Sequence, residues 1–260
     1  DLHLIHTLSL HDALPICLVL TVGMLAGCGS KTSTATKGAA KTATKSVTLR
    51  LSDNQPAGYP TIIGDQAFAK EVEAKTNGRI KIKVFLGSQL GDEKSTIEQV
   101  QFGGIDAIRI GAAPLAEFNK QIGALILPYL YKDKDQMFRV LEGPVGEKMF
   151  ASLAADSKIV GLSWVDSGAR NFYNTKKDVK TPTDLKGLKI RVQESKPMMD
   201  MVKDLGASAT PMAYGDVYSA LQTGVVDGAE NNWPSYLSSN HYQVAKHITI
   251  DEHTRVPEMI

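Results

Sequence analysis

The chain has 260 residues, 43% of them apolar, which suits one large or two medium domains with a sizeable core. Its 29 Lys and Arg residues nearly balance 28 Asp and Glu residues, and this near-neutral charge excludes the broad basic field of a nucleic-acid-binding protein. Both cysteines, Cys17 and Cys28, lie near the N-terminus, which excludes a disulfide framework in the rest of the chain.

The N-terminal segment has the pattern of an export signal. Residues 17–28 form an apolar run too short for a membrane span, which needs about 20 apolar residues, but suited to the hydrophobic region of a signal. Leu25-Ala26-Gly27-Cys28 resembles the lipobox of bacterial lipoproteins, in which the cysteine is acylated. A cysteine buried in an apolar helix is the alternative. We expect lipidation at Cys28.

The residues on either side of this run are not expected to fold. Residues 28–46, rich in Ser, Thr, Ala and Lys, are predicted to form a flexible tether. Residues 1–27 are interpreted as a partial lipoprotein signal preceded by adapter-like residues, because residues 1–16 have neither the initial Met nor the basic residues of a signal.

The first half of the body alternates between strands and helices. Its predicted strands lie at 47–51, 79–85, 105–110 and 159–165. Its predicted helices lie at 61–76, 133–141 and 145–153, and a further helix follows the turn at 88–93 and ends at 102. Residues 80–84 alternate strictly between Ile or Val and Lys, which is typical of a half-exposed strand. The second half continues the alternation, with strands at 169–174, 188–192, 225–230 and 247–250 and helices at 195–205 and 216–223. This pattern predicts an α/β fold.

Arg191 stands near the C-terminal end of the short apolar strand at 188–192. Ligands in open α/β sheets bind at the carboxyl ends of strands, so Arg191 is a candidate anion-binding residue. The alternative is a surface arginine paired with Glu194 or Asp200.

A short motif occurs twice. Residues 101–106 and 222–227 both read Gln-x-Gly-x-(Ile/Val)-Asp at a helix-to-strand junction, which favours two similar lobes facing each other across a cleft. The repeat aligns Arg109 of the first lobe with Glu230 of the second.

No catalytic or metal-binding motif is present in the sequence. His241, His247 and His253 have no zinc-site spacing and no cysteine partner, and we expect them to be surface or boundary histidines. Neither a metal nor a cofactor is predicted. Arginines and amides at strand ends suit the binding of an anion rather than its conversion. An α/β hydrolase-like enzyme and a sensory ligand-binding module remain the alternative interpretations.

From Val47 onward the chain resembles the substrate-binding proteins of tripartite ATP-independent periplasmic (TRAP) transporters, of the dicarboxylate-receptor type. The resemblance is carried by several motifs in the right order, namely Ser88-Gln89-Leu90-Gly91-Asp92, Gly168-Ala169-Arg170, Thr181-Pro182-x-Asp184-Leu185-Lys186-Gly187-Leu188-Lys189-Ile190-Arg191-Val192, Gly206-Ala207-x-x-Thr210-Pro211-Met212-Ala213-Tyr214-x-Asp216-Val217-Tyr218, and Val226-Asp227-Gly228-x-Glu230-Asn231.

The resemblance implies a role for particular residues. Arg191 takes the place of the family's carboxylate clamp, Arg170 that of its second arginine, and Asn231 that of the asparagine that holds substrate and arginine. A guanidinium binds a carboxylate through two parallel hydrogen bonds, which lysine cannot do.

Further residues are candidates for the rest of the ligand. Arg109 would add positive charge from the first lobe, and with Asn54, Glu93, Tyr214 and Trp233 it would recognise hydroxyls or a second carboxylate. Tyr214 and Trp233 are alternatively packing residues. Sialic-acid receptors of the family have an acidic residue where Gly111 stands, which makes a hexuronate or similar sugar acid, or a C4-dicarboxylate, the leading ligand.

The resemblance also implies the architecture and the partners. We expect a two-lobed periplasmic-binding-protein (Venus flytrap) fold, with lobe I at 47–166, lobe II at 167–250 and a return towards lobe I beginning at 251–260. The family runs longer, so the fold is expected to be truncated at the C-terminus. The predicted partners are a small carboxylate ligand, the membrane subunits of a TRAP permease and, through a lipid anchor, a membrane, in a periplasmic or cell-surface location.

Overall fold

The computed structural model describes residues 45–260, which form one compact unit of mixed helix and sheet. The predicted lipidation site, Cys28, lies outside the described residues. The helices are α1 (Pro60–Lys75), α2 (Glu93–Gln101), α3 (Ala112–Leu115), α4 (Lys134–Leu141), α5 (Pro144–Ser157), α6 (Lys196–Asp204), α7 (Val217–Thr223), α8 (Trp233–Ser238) and α9 (His241–Val244). The strands are β1 (Val47–Ser52), β2 (Ile80–Phe85), β3 (Ala107–Ile108), β4 (Ile110–Gly111), β5 (Trp164–Val165), β6 (Ala169–Asn174), β7 (Lys189–Val192), β8 (Ser208–Pro211), β9 (Gly228–Asn232), β10 (His247–Arg255) and β11 (Glu258–Met259).

The first sheet is parallel and has the order β2-β1-β3. The strict alternation of β2 leaves its lysines exposed, and Lys81 forms an ion pair with Glu73 of α1 at 3.2 Å. The end of β1 is buried and leads into a loop that begins at Asp53. This loop therefore emerges at the carboxyl end of the sheet, where ligands of α/β proteins bind.

The second sheet has five strands in the order β10-β6-β9-β7-β8. Its β7, β8 and β9 are parallel, whereas β6 runs antiparallel to both β9 and β10. The register places Arg170 of β6 opposite Asn232 of β9, and Arg191 of β7 opposite Ala229 of β9. Every residue of β6 and β9 is buried, so polar side chains on these strands must find partners inside the protein.

A third, small sheet joins distant parts of the chain. Its order is β4-β11-β5, and β11 runs antiparallel to both neighbours. Two segments connect it to the five-stranded sheet, one between β5 and β6 and one between β10 and β11. Arg255, the last residue of β10, forms an ion pair at 3.3 Å with Asp166 in the first of these segments.

The structure corrects four predicted strands. The strand predicted at 105–110 is two short strands, β3 and β4, which belong to different sheets. Only Trp164–Val165 of the predicted strand at 159–165 is a strand, and Val160 and Leu162 are 67% and 62% exposed, because no neighbouring strand pairs with the earlier residues. The predicted strand at 225–230 begins instead at Gly228 and extends to Asn232. The last strand is longer than predicted and ends at Arg255, because it pairs with β6 on both sides of an irregularity.

The prediction that all three late histidines lie at the surface or boundary is also wrong. His241 and His253 are buried, because each fills an aromatic cluster: His241 lies beside Tyr173, and His253 stacks on Phe172. Within residues 45–260, no helix is both long and apolar enough to cross a membrane. Nor does this part of the chain bring three or more His, Cys, Asp or Glu residues together in a way that could hold a metal ion.

Candidate functional site

Side chains that lie at or next to all three sheets meet around a small cavity. The lining includes seven of the eight residues predicted from the sequence: Asn54, Glu93, Arg109, Arg170, Arg191, Tyr214 and Asn231. The remaining lining residues are Gln55, Gln193, Asn232, Ser235 and Glu258. Trp233, the eighth predicted residue, does not line the cavity; it is 46% exposed and packs edge-on against Tyr236.

Arg191 is a buried cation without a carboxylate partner. It is 1% exposed, and its Nε and Nη2 donate hydrogen bonds to the carbonyl oxygen of Met212 at 3.0 and 2.6 Å. Among residues 45–260, no carboxylate lies within 4.0 Å of its guanidinium. Burial lowers the pKa of Arg191 below its ordinary value. The alternative of a surface arginine paired with Glu194 or Asp200 is therefore wrong.

Arg170, by contrast, is paired with a carboxylate. Its Nε and Nη2 donate to the two carboxylate oxygens of Glu230 at 2.5 and 2.8 Å, and Nη2 also donates to the Glu230 carbonyl at 2.8 Å. Burial alone would raise the pKa of Glu230, but Arg170 and His253 outweigh it and lower the pKa to about 2. Because Glu230 neutralises it, Arg170 contributes little free charge to the cavity.

Arg109 is held by two carboxylates. It donates from Nε to Asp53 at 2.9 Å and from Nη1 to Glu258 at 3.1 Å, and its Nη2 contacts Asp53 and, at 2.6 Å, Asn54. Asp53 also accepts hydrogen bonds from the Gln55 amide and the Thr61 hydroxyl. The positive charge that Arg109 was expected to add to the cavity is therefore compensated within the protein.

Glu93 stands at the start of α2 and is partly buried. Burial raises its pKa, and the opposing influence of Arg109 and Arg191 does not cancel that rise. Its carboxylate makes no hydrogen bond or ion pair within the described part of the chain, since the N-cap of α2 is provided by Asp92. The cavity therefore contains one unpaired guanidinium, Arg191, and one unpaired carboxyl, Glu93.

Asn231 and Tyr214 complete the wall beside Arg191. The Asn231 side-chain oxygen accepts a hydrogen bond from the Asn232 amide at 2.9 Å, which fixes the orientation of the side chain. The Tyr214 hydroxyl bonds to Ser239 at 2.5 Å, and its ring centroid lies 6.0 Å from the Arg191 guanidinium carbon. Tyr214 thus both packs and lines the cavity.

The sequence did not identify the carboxylates that pair with Arg109 and Arg170, or the remaining residues that line the cavity. Gln193 had a usable signal, because it follows Arg191 by two residues on extended chain and so shares its face. Glu230 was named within a family motif and as the counterpart of Arg109 in the repeated motif, but not as the partner of Arg170; Arg109 and Glu230 belong to separate buried ion pairs. Glu258 had no local signal, because its contact with Arg109 is made across 149 positions of sequence.

The family model described as "Bacterial extracellular solute-binding protein, family 7" matches residues 51–260. A solute-binding protein of Chromohalobacter salexigens is 43% identical over 205 residues, which cover 79% of this chain and 61% of that protein. The 2,3-diketo-L-gulonate-binding periplasmic protein of Escherichia coli is 31% identical over 198 residues, or 76% of this chain and 60% of the relative.

The chain is also similar to solved structures of solute-binding proteins. A TRAP periplasmic solute-binding protein of Xanthobacter autotrophicus with bound β-D-galacturonate is 47% identical, with a TM-score of 0.78, over 81% of this chain and 70% of that one. A TRAP periplasmic solute-binding protein of Roseobacter denitrificans with bound β-D-glucuronate is 38% identical, with a TM-score of 0.80, over 82% of this chain and 70% of that one. The predicted two-lobed α/β fold is confirmed by these matches.

The chain spans about three fifths of the length of the curated relatives it matches, 61%, 58% and 65% for three of them. Within that span the match is continuous from Leu51 to Ile260 and includes every residue of the cavity. The chain therefore belongs to family 7 of the bacterial extracellular solute-binding proteins.

Proposed function

We propose that this protein is an extracytoplasmic receptor that binds a sugar acid in the cavity and delivers it to a TRAP-type membrane permease. The observation that carries the proposal is the burial of Arg191 without a carboxylate partner. An uncompensated buried cation is costly, so a ligand carboxylate that pairs with it gains a large part of its binding free energy there. Both Nη atoms of a guanidinium can bond one carboxylate, which also fixes the orientation of the ligand.

The distribution of charge favours a monocarboxylate with hydroxyl groups. Once Arg109 and Arg170 are matched with Asp53, Glu258 and Glu230, Arg191 is left to bind one carboxylate, and Glu93 is left to accept hydrogen bonds from hydroxyls. A second ligand carboxylate would find no further guanidinium without a carboxylate partner among the lining residues. A hexuronate or related sugar acid therefore suits the cavity better than a C4-dicarboxylate, in keeping with the galacturonate and glucuronate bound by similar proteins.

Binding is proposed to close two lobes on the ligand. Lobe I comprises residues 47–166 and lobe II residues 167–250, and residues 251–260 return to lobe I. The pairing of β11 with β4 and β5 supports this assignment. A ligand that contacts both lobes binds the closed state better than the open one and so shifts the equilibrium towards closure. Such a receptor changes its conformation rather than its ligand, and no turnover is expected.

We also propose that the protein is periplasmic or exposed at the cell surface and is attached to the membrane through lipid on Cys28. The support is the lipobox-like sequence at residues 25–28, followed by a polar segment. Expression of the intact gene with Cys28→Ser should move the protein from the detergent phase to the aqueous phase. Equal partitioning of the variant and the parent would contradict lipidation.

A thermal-shift panel tests the receptor function. D-glucuronate, D-galacturonate and galactonate are expected to raise the melting temperature, succinate and malate much less, and the uncharged sugars not at all. Arg191→Lys should lose this increase in melting temperature. Arg79→Lys, at an exposed site, is the control and should keep it. The proposal is wrong if no acid raises the melting temperature, or if an acid is consumed during the assay.

A further inference from the structure

Tyr59 links the two lobes beside the cavity. It precedes α1 in lobe I, and it is completely buried. Its hydroxyl lies 3.1 Å from Oδ1 of Asn232 and 3.0 Å from Oγ of Ser235, both in lobe II. Tyr59 itself does not line the cavity, but both of its partners, Asn232 and Ser235, do.

The direction of these hydrogen bonds follows from the chemistry of the partners. Oδ1 of Asn232 is an acceptor that already receives the Ser235 amide at 2.9 Å, as the N-cap of α8. Tyr59 must therefore donate to Asn232, and its own oxygen accepts the Ser235 hydroxyl proton. Burial raises the pKa of Tyr59 to about 12, so the proton needed for this arrangement stays on the hydroxyl. The phenol is thus fully satisfied, and both of its partners belong to the opposite lobe.

The lobe II side of this contact is also part of the candidate site. Asn232 pairs with Arg170 in the sheet register, and its backbone amide holds the Asn231 side chain. Opening of the lobes would break both Tyr59 bonds and expose the hydroxyl to water.

A second contact between the lobes lies at a different position. Oε1 of Glu117, after α3 in lobe I, accepts a hydrogen bond from the backbone amide of Lys196 at 2.6 Å. Lys196 is the first residue of α6 in lobe II, and the Ser195 side chain does not cap that helix. A carboxylate at a helix N-terminus is favourable, but Glu117 is exposed, so its contribution is smaller than that of Tyr59.

We propose that Tyr59, assisted by Glu117, is a positioning residue that holds lobe I against lobe II and thereby slows release of the ligand. The proposal rests on the receptor function. A ligand meets the open state, in which these bonds are absent, but it can leave only after they break. Removing them should therefore increase the dissociation rate and leave the association rate nearly unchanged.

Stopped-flow binding of D-glucuronate tests this directly, with Tyr59→Phe, which removes only the hydroxyl. Tyr242→Phe is the matched control, because Tyr242 is 42% exposed and lies outside both contacts. We expect the dissociation rate of Tyr59→Phe to rise about tenfold, given two lost hydrogen bonds, with an association rate within about twofold of the parent. Glu117→Ala is expected to raise the dissociation rate about threefold, and its exposed position makes it the second test if Tyr59→Phe folds poorly.

Small-angle scattering of the ligand-free protein provides a readout that needs no ligand. Tyr59→Phe should have a larger radius of gyration than Tyr242→Phe, since it loses contacts of the closed state. Identical dissociation rates and scattering for these two variants would overturn the proposal. If no acid binds the parent while the scattering difference is present, the contact between the lobes is supported and the proposed receptor function is wrong.

Discussion

At the scale of single residues, the three arginines of the cavity differ in how their charge is compensated. Arg109 and Arg170 are paired with carboxylates, whereas Arg191 bonds only to a carbonyl oxygen. A backbone carbonyl offers a partial charge, so it orients Arg191 without neutralising it. This difference makes Arg191, and not Arg109 or Arg170, the residue that we propose to bind the ligand carboxylate.

Glu230 should make a large and pH-dependent contribution to stability. Its folded pKa of about 2 lies below the unfolded value, so the stabilisation is present above about pH 4.5 and is lost as the pH falls towards 2. We expect Glu230→Gln to reduce the free energy of unfolding by about 3 kcal/mol at pH 7, since it leaves Arg170 buried without its partner.

Urea unfolding at several pH values checks this prediction. The difference between Glu230→Gln and the parent should shrink as the pH falls from 5 towards 2, whereas the exposed control Glu142→Gln should stay near the parent throughout. A difference that does not change with pH would show that the ion pair is not its source.

His241 should destabilise the protein in mild acid. Burial lowers its pKa to about 4, and its Nδ1 lies 2.8 Å from the Tyr173 hydroxyl. Because the folded pKa lies below the unfolded one, the unfolded state takes up the proton first, and stability is lost as the pH falls from about 6.5 to 4.

Between pH 7.5 and 4.5 the parent should therefore lose about 2 to 3 kcal/mol more of its free energy of unfolding than His241→Gln does. Denaturant unfolding of both proteins at the two pH values measures this loss. Equal losses would mean that His241 is readily protonated in the folded protein.

At the scale of elements, the strands that carry the site could be predicted better than those that connect the lobes. The strand with Arg191 and the strand with Arg170 were located correctly, because each has a clear turn before it and buried residues along its length. β11 has only two residues and depends on pairing with β4 and β5, so no local pattern reveals it. The apolar residues at 160 and 162 led to the prediction of a strand there, but they are exposed and pair with no neighbouring strand.

Gly228 tests the close packing of the five-stranded sheet. A Cβ at this position would lie 2.5 Å from the carbonyl oxygen of Tyr173 and 2.8 Å from the Cβ of Asn174. Gly228→Ala must therefore push β9 away from β6 and is expected to cost about 2 kcal/mol of stability.

Gly64→Ala is the matched control, because Gly64 lies within α1 and a Cβ there would meet nothing within 4 Å. It should raise the stability by about 0.5 to 1 kcal/mol, through better helix propensity. Chemical denaturation of both variants measures these changes. A neutral effect of Gly228→Ala would mean that the two strands can separate without loss.

At the scale of the whole molecule, the near-neutral net charge means that anion binding cannot depend on a diffuse field. Because Arg191 is buried, added salt should screen its pairing with a ligand only weakly. The dissociation constant for D-glucuronate is expected to change less than about threefold between about 0.05 M and about 0.5 M NaCl. Titration calorimetry at both salt concentrations checks this, and a change of tenfold or more would indicate an exposed site.

The overall architecture and most of the cavity were predictable, because family motifs surround Arg170, Arg191 and Asn231. The compensation of charge was not predictable. Asp53 and Glu258 reach Arg109 only after the chain has folded back on itself, and Tyr59 meets Asn232 across 173 positions of sequence. Such contacts depend on how the lobes face each other, which no short pattern of residues records.

The most direct test of the account is calorimetric titration of D-glucuronate and D-galacturonate into the parent protein, Arg191→Lys and the exposed control Arg79→Lys. The account predicts binding of one ligand per chain by the parent and Arg79→Lys, and an affinity at least about 100-fold lower for Arg191→Lys, because lysine cannot bind a carboxylate through two parallel bonds. Full affinity in Arg191→Lys would contradict the assignment of Arg191 as the carboxylate clamp.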